Sequence, residues 1–247
     1  MKLLIPSAKD MNEDTEIVSP GIYPKNTQTI IDLMKDIPMK ELSSFYKISE
    51  KRAQKEGVRW KAMMQANAHF YPALYLFDGL MYRKIKRKNL SRKEVTYLKN
   101  HLFITTALYG IIPCMTPIAP HRLDFLNPLK VDGMTLKAIW KDSYNDFVLE
   151  NEEILSLLST EFEAIFATAI RERFTRVKFM ELHGDRYKMH STISKKGRGA
   201  LITKMMEEGI EDIESIRNLS FDGYEYQANQ STEKELVFVK NIPTESE

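Results

Sequence analysis

Short apolar runs alternate with segments of helical periodicity along this chain of 247 residues, and that alternation limits the folds open to it. Residues 1–5, 102–107 and 154–158 are apolar runs of strand length, which is typical of strands buried inside a sheet. Apolar residues recur at helical spacing in 30–34 and 134–148, so these segments predict helices. The chain is therefore expected to combine helices and strands.

Capping and turn signals mark the ends of several of these elements. Residues 91–94 have the pattern of a capping box, which predicts the start of a helix, and residues 160–163 repeat the pattern. Residues 183–186 carry turn chemistry, so a hairpin is predicted whose returning strand spans 187–193. A helix is then expected from about 195 to 208, ended by the glycine that follows it.

The composition indicates a globular protein of the cytosol. An apolar fraction of 43% with 28% charged residues is enough for a substantial core, and one domain is expected over 1–247. The single Cys114 cannot form an internal disulfide, which favours a reducing compartment. No signal segment and no apolar run of about 18 residues occurs, so we predict a cytoplasmic protein without a membrane span.

The overall charge does not favour a nucleic acid or any other class of partner. Lys and Arg total 36 against 34 for Asp and Glu, so the net charge of +2 creates no general positive field. Any site for an anion must therefore be local. The oligomeric state is left open by the sequence.

One candidate for such a local site is the basic segment from Ser194 to Gly199. It contains Lys195, Lys196 and Arg198 where the strand is expected to turn into a helix, close to the positive end of the helix dipole. Cations are unfavourable there by up to about 1 kcal/mol, whereas a bound phosphate would reverse the sign of the interaction. The segment therefore predicts an anion site, although an exposed, salt-screened basic turn is the alternative.

A second candidate lies in residues 42–53, within a helix-hairpin-helix-like insertion expected over 38–66. Its apolar residues occupy the anchor positions of a helix-hairpin-helix, in which a tight turn binds a DNA phosphate. Lys47 and Ser49 stand where the pattern has glycine, so cation contacts from Lys47, Lys51 and Arg52 would replace close amide contacts. Two packed helices without this function are the alternative.

The chain lacks the common signals of catalysis, of a cofactor or of a metal site. Its histidines have no metal-ligand spacing, no nucleophile motif occurs, and no dinucleotide or Walker loop is present, so neither cofactor nor metal is predicted. Asp78, Asp124 and Glu161 remain possible carboxylates of a cleft, although most such side chains are ordinary surface groups.

Several separated segments together resemble one family, the YaaA-like peroxide-stress proteins of bacteria. The segments are Ile5-Pro6-Ser7-Ala8-Lys9, Ile48-Ser49-Glu50-Lys51, Phe77-Asp78-Gly79-Leu80-Met81-Tyr82, Ala107-Leu108-Tyr109-Gly110-Ile111-Ile112-Pro113, Pro120-His121-Arg122-Leu123-Asp124, Leu158-Ser159-Thr160-Glu161-Phe162, Lys195-Lys196-Gly197-Arg198-Gly199 and Phe221-Asp222-Gly223-Tyr224. The chain departs from the family pattern at Gly197, Phe162 and His121, where alanine, tyrosine and tyrosine are usual.

The resemblance implies a mixed α+β fold, with a mixed sheet, surrounding helices, a helix-hairpin-helix element and a positively charged cleft. It also implies DNA binding and a role in limiting intracellular iron and oxidative DNA damage during peroxide stress. The leading hypothesis is therefore a stress protein that binds DNA by its structure rather than its sequence. Its expected phosphate contacts are Lys9, Lys47, Lys51, Arg52, Arg122, Lys195, Lys196 and Arg198.

Two alternatives remain. The same cations could hold a phosphorylated or nucleotide-like small molecule, with Asp78, Asp124 or Glu161 transferring a proton in an enzymatic reaction. Direct iron handling is the third hypothesis, but no ligand pattern supports it.

Overall fold

The computed structural model describes residues 1–243, so residues 244–247 of the expected domain lie outside the described part. The strands are β1 (Lys2–Pro6), β2 (Asp10–Met11), β3 (Tyr71–Pro72), β4 (Phe77–Asp78), β5 (Leu102–Thr106), β6 (Gly110–Pro113), β7 (Pro117–Ile118), β8 (Lys130–Val131), β9 (Met134–Thr135), β10 (Ile154–Ser156), β11 (Phe174–His183), β12 (Arg186–Lys188), β13 (Ser220–Phe221), β14 (Tyr224–Tyr226) and β15 (Glu235–Ile242). The α-helices are α1 (Lys25–Met34), α2 (Leu42–Tyr46), α3 (Glu50–Met64), α4 (Ala73–Leu76), α5 (Arg92–His101), α6 (Leu136–Leu149), α7 (Thr160–Glu163), α8 (Thr168–Arg171), α9 (Ser191–Glu208) and α10 (Ile213–Ile216). Short 3-10 turns span Met39–Glu41, Tyr82–Lys84 and Ala228–Gln230.

A mixed sheet of nine strands organises the molecule, in the order β13-β14-β15-β11-β10-β1-β5-β6, with β12 added to β11. The strands from β15 through β11, β10 and β1 to β5 are parallel to one another, whereas β6, β12 and the β13–β14 pair are antiparallel to their neighbours. The predicted α+β class with a mixed sheet and surrounding helices is confirmed.

The apolar runs form the centre of this sheet, as expected. In β1, Leu3, Leu4 and Ile5 are completely buried between β5 and β10. A strand covered on both faces has no polar face, so it shows a continuous apolar run instead of alternation. The runs at 102–107 and 154–158 likewise became β5 and β10.

The two predicted capping boxes have different outcomes. At α5 the Ser91 hydroxyl accepts from the Glu94 amide and the Glu94 carboxylate accepts from the Ser91 amide, so this box is confirmed. At 160–163 the predicted helix start is confirmed, since α7 begins at Thr160, but the capping box is wrong, because Ser159 is the capping residue and its side chain makes no hydrogen bond there. Glu163 instead binds the Ser156 hydroxyl at 2.6 Å and Arg176. A stronger tertiary partner for the carboxylate replaced the local one.

The predicted position of the basic segment relative to α9 is also wrong. The returning strand β12 ends at Lys188 instead of continuing to residue 193, and α9 already begins at Ser191. Residues 194–199 therefore lie inside the helix, where backbone amides are bonded within it. The two glycines allow close packing instead: a Cβ at Gly197 would lie 2.4 Å from the Phe179 ring, and one at Gly199 only 2.2 Å from the Met81 carbonyl oxygen.

Helices α2 and α3 pack against each other across a tight turn. Lys47 adopts a left-handed conformation with φ of 53°, and the Ile48 amide donates to the Ser43 carbonyl oxygen at 3.0 Å. The Trp60 indole N–H donates to the Tyr46 hydroxyl at 2.6 Å, which joins the two helices inside the protein. None of the helices within residues 1–243 is both long and apolar enough to cross a bilayer.

Candidate functional site

Two chain segments that leave the sheet at the same edge bring predicted site residues together. Parallel strands β1 and β10 are neighbours, so the segments that follow Pro6 and Ser156 emerge side by side. The carboxyl edge of such parallel strands is the usual place for a ligand crevice. Lys9 follows β1, and its Nζ lies 3.0 Å from Asp124 Oδ2. Glu161 follows β10, and the charges of Asp124 and Lys9 both act on its carboxyl group.

The Asp124 carboxylate is held in place from both sides. Its Oδ1 accepts from the Leu126 amide at 2.9 Å, while the Asp124 amide donates to the Asn127 side-chain oxygen at 2.8 Å. Because Oδ2 contacts Lys9, both carboxylate oxygens have partners. The loop conformation therefore fixes the Asp124 carboxylate in the position where it forms the ion pair with Lys9.

Glu161 is different, because part of its carboxyl group is buried without a partner. Its Oε1 is inaccessible to solvent and forms no hydrogen bond with any described residue. Burial, followed by the charge of Asp124, raises the pKa of Glu161, although Lys9 and Lys137 oppose the shift. A carboxyl group with a raised pKa is suited to proton exchange with a ligand.

Arg122 connects this group of residues to the α2–α3 pair. Its positive charge acts on the Tyr46 hydroxyl and on the Glu56 carboxylate, both buried in the protein. The preceding residue, His121, is also buried, and its Nδ1 lies 2.9 Å from the Ala119 carbonyl oxygen. Burial lowers the pKa of His121 to about 4, so this imidazole is neutral at physiological pH.

The inner face of α3 carries a buried ion pair that the sequence analysis missed. Arg59 binds Glu56 at 2.7 Å and also binds Glu13, and the side chains of Arg59 and Glu56 are each only 8% exposed. Burial raises the pKa of Glu56, while Arg59 and Arg122 oppose it. The spacing of buried Ala53 and Trp60 along α3 could have revealed the pair, because Glu56 falls on the same helical face.

Asp78 belongs to a separate ionic cluster. It binds Arg83 through two nitrogens, at 2.6 and 3.1 Å, and lies 3.8 Å from Arg87. The Arg83 hydrogen bond lowers the pKa of Asp78. In the β2–β4 pairing Asp78 stands opposite Asp10, which follows Lys9 in the chain. Asp78 therefore lies close to the carboxyl end of β1. Its carboxylate is the counter-ion of Arg83 and Arg87.

The remaining predicted cations lie in two places. Lys47, Lys51 and Arg52 are exposed around the α2–α3 turn, and Lys195 and Lys196 are exposed on α9. As far as residue 243, none of these side chains is in an ion pair. They are therefore available to an external anion.

Arg198 is mostly buried in α9, unlike the two lysines before it. Its Nε has no hydrogen-bond partner among the described residues, and the charge of Glu163 acts on it. Burial lowers the pKa of Arg198, and the Glu163 charge opposes this shift. Glu163 lies on the same short helix as Glu161, so Arg198 approaches the β10 edge from the side of α9.

The contacts thus connect some predicted residues and leave others apart. Lys9, Asp124 and Glu161 form one group beside Arg122, and Arg198 approaches the same edge through Glu163. In the described part of the chain, no ion pair or hydrogen bond joins the Lys47, Lys51 and Arg52 side chains to that group. Across residues 1–243, no group of three or more His, Cys, Asp or Glu side chains is arranged to hold a metal ion.

Comparison with known proteins places the chain in a family. The family model described as peroxide stress protein YaaA matches residues 1–230. A UPF0246 protein of Streptococcus sanguinis strain SK36 is 46% identical over 98% of this chain and 100% of its own length. A UPF0246 protein of Streptococcus gordonii is 45% identical over 98% of this chain and 99% of its own length. The resemblance noted in the sequence is thereby confirmed: the chain belongs to the YaaA family of peroxide stress proteins.

Proposed function

We propose that this peroxide-stress family member binds DNA and thereby limits iron-dependent oxidative damage to it. The main support is the set of exposed cations on the α2–α3 turn and on α9, which have no acidic partner in residues 1–243. Other basic side chains, such as Lys86 and Arg87, contact carboxylates of the protein. Cations left without an internal counter-ion are suited to a polyanion.

The α2–α3 turn is the part of this surface best suited to a phosphate, in the manner of a helix-hairpin-helix. Helix α3 begins after Ser49, whose side chain makes no cap, and its first amides have no backbone partner in the described structure. Free amides and the positive end of the helix dipole favour an anion there. Lys47, Lys51 and Arg52 add charge around that point, although Glu50 at the start of α3 opposes it.

Contacts of this kind position a protein on DNA without reading its bases. Affinity should therefore depend on the shape and charge of the DNA and should fall steeply with salt, by about one logarithmic slope unit per neutralised phosphate. In the proposed cleft, the DNA-binding surface extends from the α2–α3 turn to five further cations that would contact phosphates: Lys9, Arg122, Lys195, Lys196 and Arg198. The proposed partner is DNA of many sequences.

The first prediction concerns the positive charge of the α2–α3 turn. We expect the double variant Lys51→Gln with Arg52→Gln to bind DNA of every sequence more weakly. The slope of log affinity against log salt concentration should fall by about two units, because two phosphate contacts are lost. Fluorescence anisotropy with labelled DNA over a range of salt concentrations measures both quantities. The matched control is Lys25→Gln with Lys141→Gln, which removes the same charge from exposed positions on α1 and α6.

The same proteins test protection of DNA. Wild-type protein should slow the nicking of plasmid DNA by ferrous iron and hydrogen peroxide, and the turn variant should protect less well than the control. Salt-insensitive binding, or equal effects of the two double variants, would contradict the proposal.

A second candidate function has one observation in its favour, the buried and unpartnered Oε1 of Glu161 beside Lys9 and Asp124. A phosphorylated or nucleotide-like small molecule bound by Lys9 and Arg198 could take a proton from this carboxyl group. Such a ligand would raise the melting temperature by mass action, and Glu161→Gln would abolish turnover while keeping the thermal shift. A panel of nucleotides and sugar phosphates that produces no shift would remove this candidate.

A further inference from the structure

Sulfur atoms are the usual targets of peroxide in a protein, and in this chain the accessible ones belong to methionines. The single Cys114 is buried, and burial raises the pKa of its thiol to about 12, so the reactive thiolate is scarce at physiological pH. Three of the 13 methionines are about half-exposed, namely Met39 at 49%, Met134 at 50% and Met189 at 58%. The chain belongs to a family of peroxide stress proteins, so hydrogen peroxide is the relevant oxidant.

Met39 differs from the other two in the position of its sulfur. It begins the 3-10 turn Met39–Glu41, which leads directly into α2, and Gly57 is buried in α3. A Cβ at Gly57 would overlap the Met39 Sδ and would lie 3.2 Å from Leu42 Cδ1. The thioether therefore fills the space that a side chain at position 57 would occupy.

This contact fixes the start of α2 against α3. The end of α2 is fixed by the hydrogen bond from Trp60 to Tyr46, and the left-handed Lys47 follows at once. The turn that carries Lys47 joins these two helices, so its conformation depends on both contacts. Loss of the contact between Met39 and Gly57 would leave α2 held at one end.

We propose that Met39 is a site of oxidation by hydrogen peroxide, and that its oxidation loosens the α2–α3 turn. The sulfur lone pair attacks one peroxide oxygen, and the O–O bond breaks. The second oxygen leaves as hydroxide and takes the proton of the transferred oxygen, so the products are methionine sulfoxide and water. Sulfur loses two electrons and the peroxide gains them.

The sulfoxide does not suit the place that the thioether occupies. Its oxygen is polar, whereas Gly57 and Leu42 present carbon atoms there, which donate no hydrogen bond. The oxidised side chain therefore moves toward water, and the 3-10 turn loses its packing on α3. Met134 lies on β9 and Met189 lies between β12 and α9, so oxidation at these positions leaves the Gly57 contact intact.

The functional consequence rests on the proposed DNA binding, whereas the oxidation can be measured separately. The full chain is treated with hydrogen peroxide and digested with trypsin, which places Met39, Met134 and Met189 as single methionines in peptides 36–40, 131–137 and 189–195. We expect mass spectrometry to show oxidation in all three peptides. The treated protein should melt about 2–12 °C lower than untreated protein. It should also bind DNA about three- to tenfold more weakly, because phosphate contacts at the turn are lost.

Met39→Leu is the test variant, because leucine keeps an apolar side chain of similar volume and cannot be oxidised in this way. Before treatment it should bind DNA as the wild type does, and after treatment it should keep most of its affinity and melting temperature. The double variant Met134→Leu with Met189→Leu is the matched control, and it should remain as sensitive to peroxide as the wild type. Methionine sulfoxide reductases should restore the wild-type values.

The outcomes separate this inference from the proposed function. If Met39 stays unoxidised, or if the treated Met39→Leu variant loses as much as the wild type, the oxidation site is wrong and DNA binding by the untreated protein still stands. If the untreated wild type binds no DNA, the proposed function is wrong. The melting temperatures of the treated and untreated proteins then still decide whether oxidation of Met39 loosens the turn.

Discussion

Replacement of Gly199 by alanine is expected to destabilise the protein by about 3 kcal/mol, the upper end of the typical cost of overpacking, because the neighbouring atoms are backbone and cannot move aside easily. The added Cβ would lie 2.2 Å from the Met81 carbonyl oxygen and 2.7 Å from Lys84 Cβ. The backbone of 81–84 cannot retreat easily, since the Tyr82 hydroxyl binds the Pro6 carbonyl oxygen and Thr203 binds the Lys84 carbonyl oxygen. Thermal unfolding should show a melting temperature lower by about 6–12 °C.

Gly21→Ala is the control for this substitution. A Cβ at Gly21 would meet its nearest atom at 3.5 Å, an ordinary contact, and the expected change is within about 0.5 kcal/mol. If the two variants had the same melting temperature, α9 would not be packed against the 81–84 turn as described. The comparison therefore tests the position of the helix that carries the basic segment.

Removal of the Arg59 side chain should cost about 3–5 kcal/mol, the usual penalty for leaving a buried charge without its partner. In Arg59→Ala the Glu56 carboxylate remains buried, and loss of the arginine raises its pKa further. A carboxyl group whose folded pKa is raised destabilises the protein as the pH rises, because only the unfolded state then ionises freely. Urea unfolding should therefore show a larger loss at pH 8 than at pH 5.

Two further variants separate this effect from the general loss of a surface charge. Lys55→Ala removes an exposed partner of Glu13, and its expected cost is below about 1 kcal/mol. Adding Glu56→Gln to Arg59→Ala should recover part of the stability, since an amide is easier to bury than a carboxylate. Equal losses in the two single variants, or no recovery in the double variant, would show that the buried pair is not the cause.

The packing of Gly199 depends on long-range contacts, and the sequence analysis could not predict it. It interpreted residues 194–199 as an anion site at the start of a helix, because cations are unfavourable there without a bound anion. In the fold these residues lie inside α9, and Phe179 and the Met81 carbonyl oxygen pack against Gly197 and Gly199. The ion pair of Arg59 with Glu13 was equally hidden, because a charged residue on a helix is normally on its solvent face.

The sequence by itself determined the strands at the centre of the sheet, the capping box at Ser91 and membership of the family. Each depends on neighbours in the chain or on the order of motifs, which the sequence contains directly. Only the tertiary structure decided that Lys9 forms an ion pair with Asp124 and that Asp78 contacts both Arg83 and Arg87. It also decided that one carboxylate oxygen of Glu161 is buried without a hydrogen-bond partner among the described residues. Whether a charge meets a partner or remains free for a ligand depends on residues distant in sequence, since ion pairs form over a few ångströms of space.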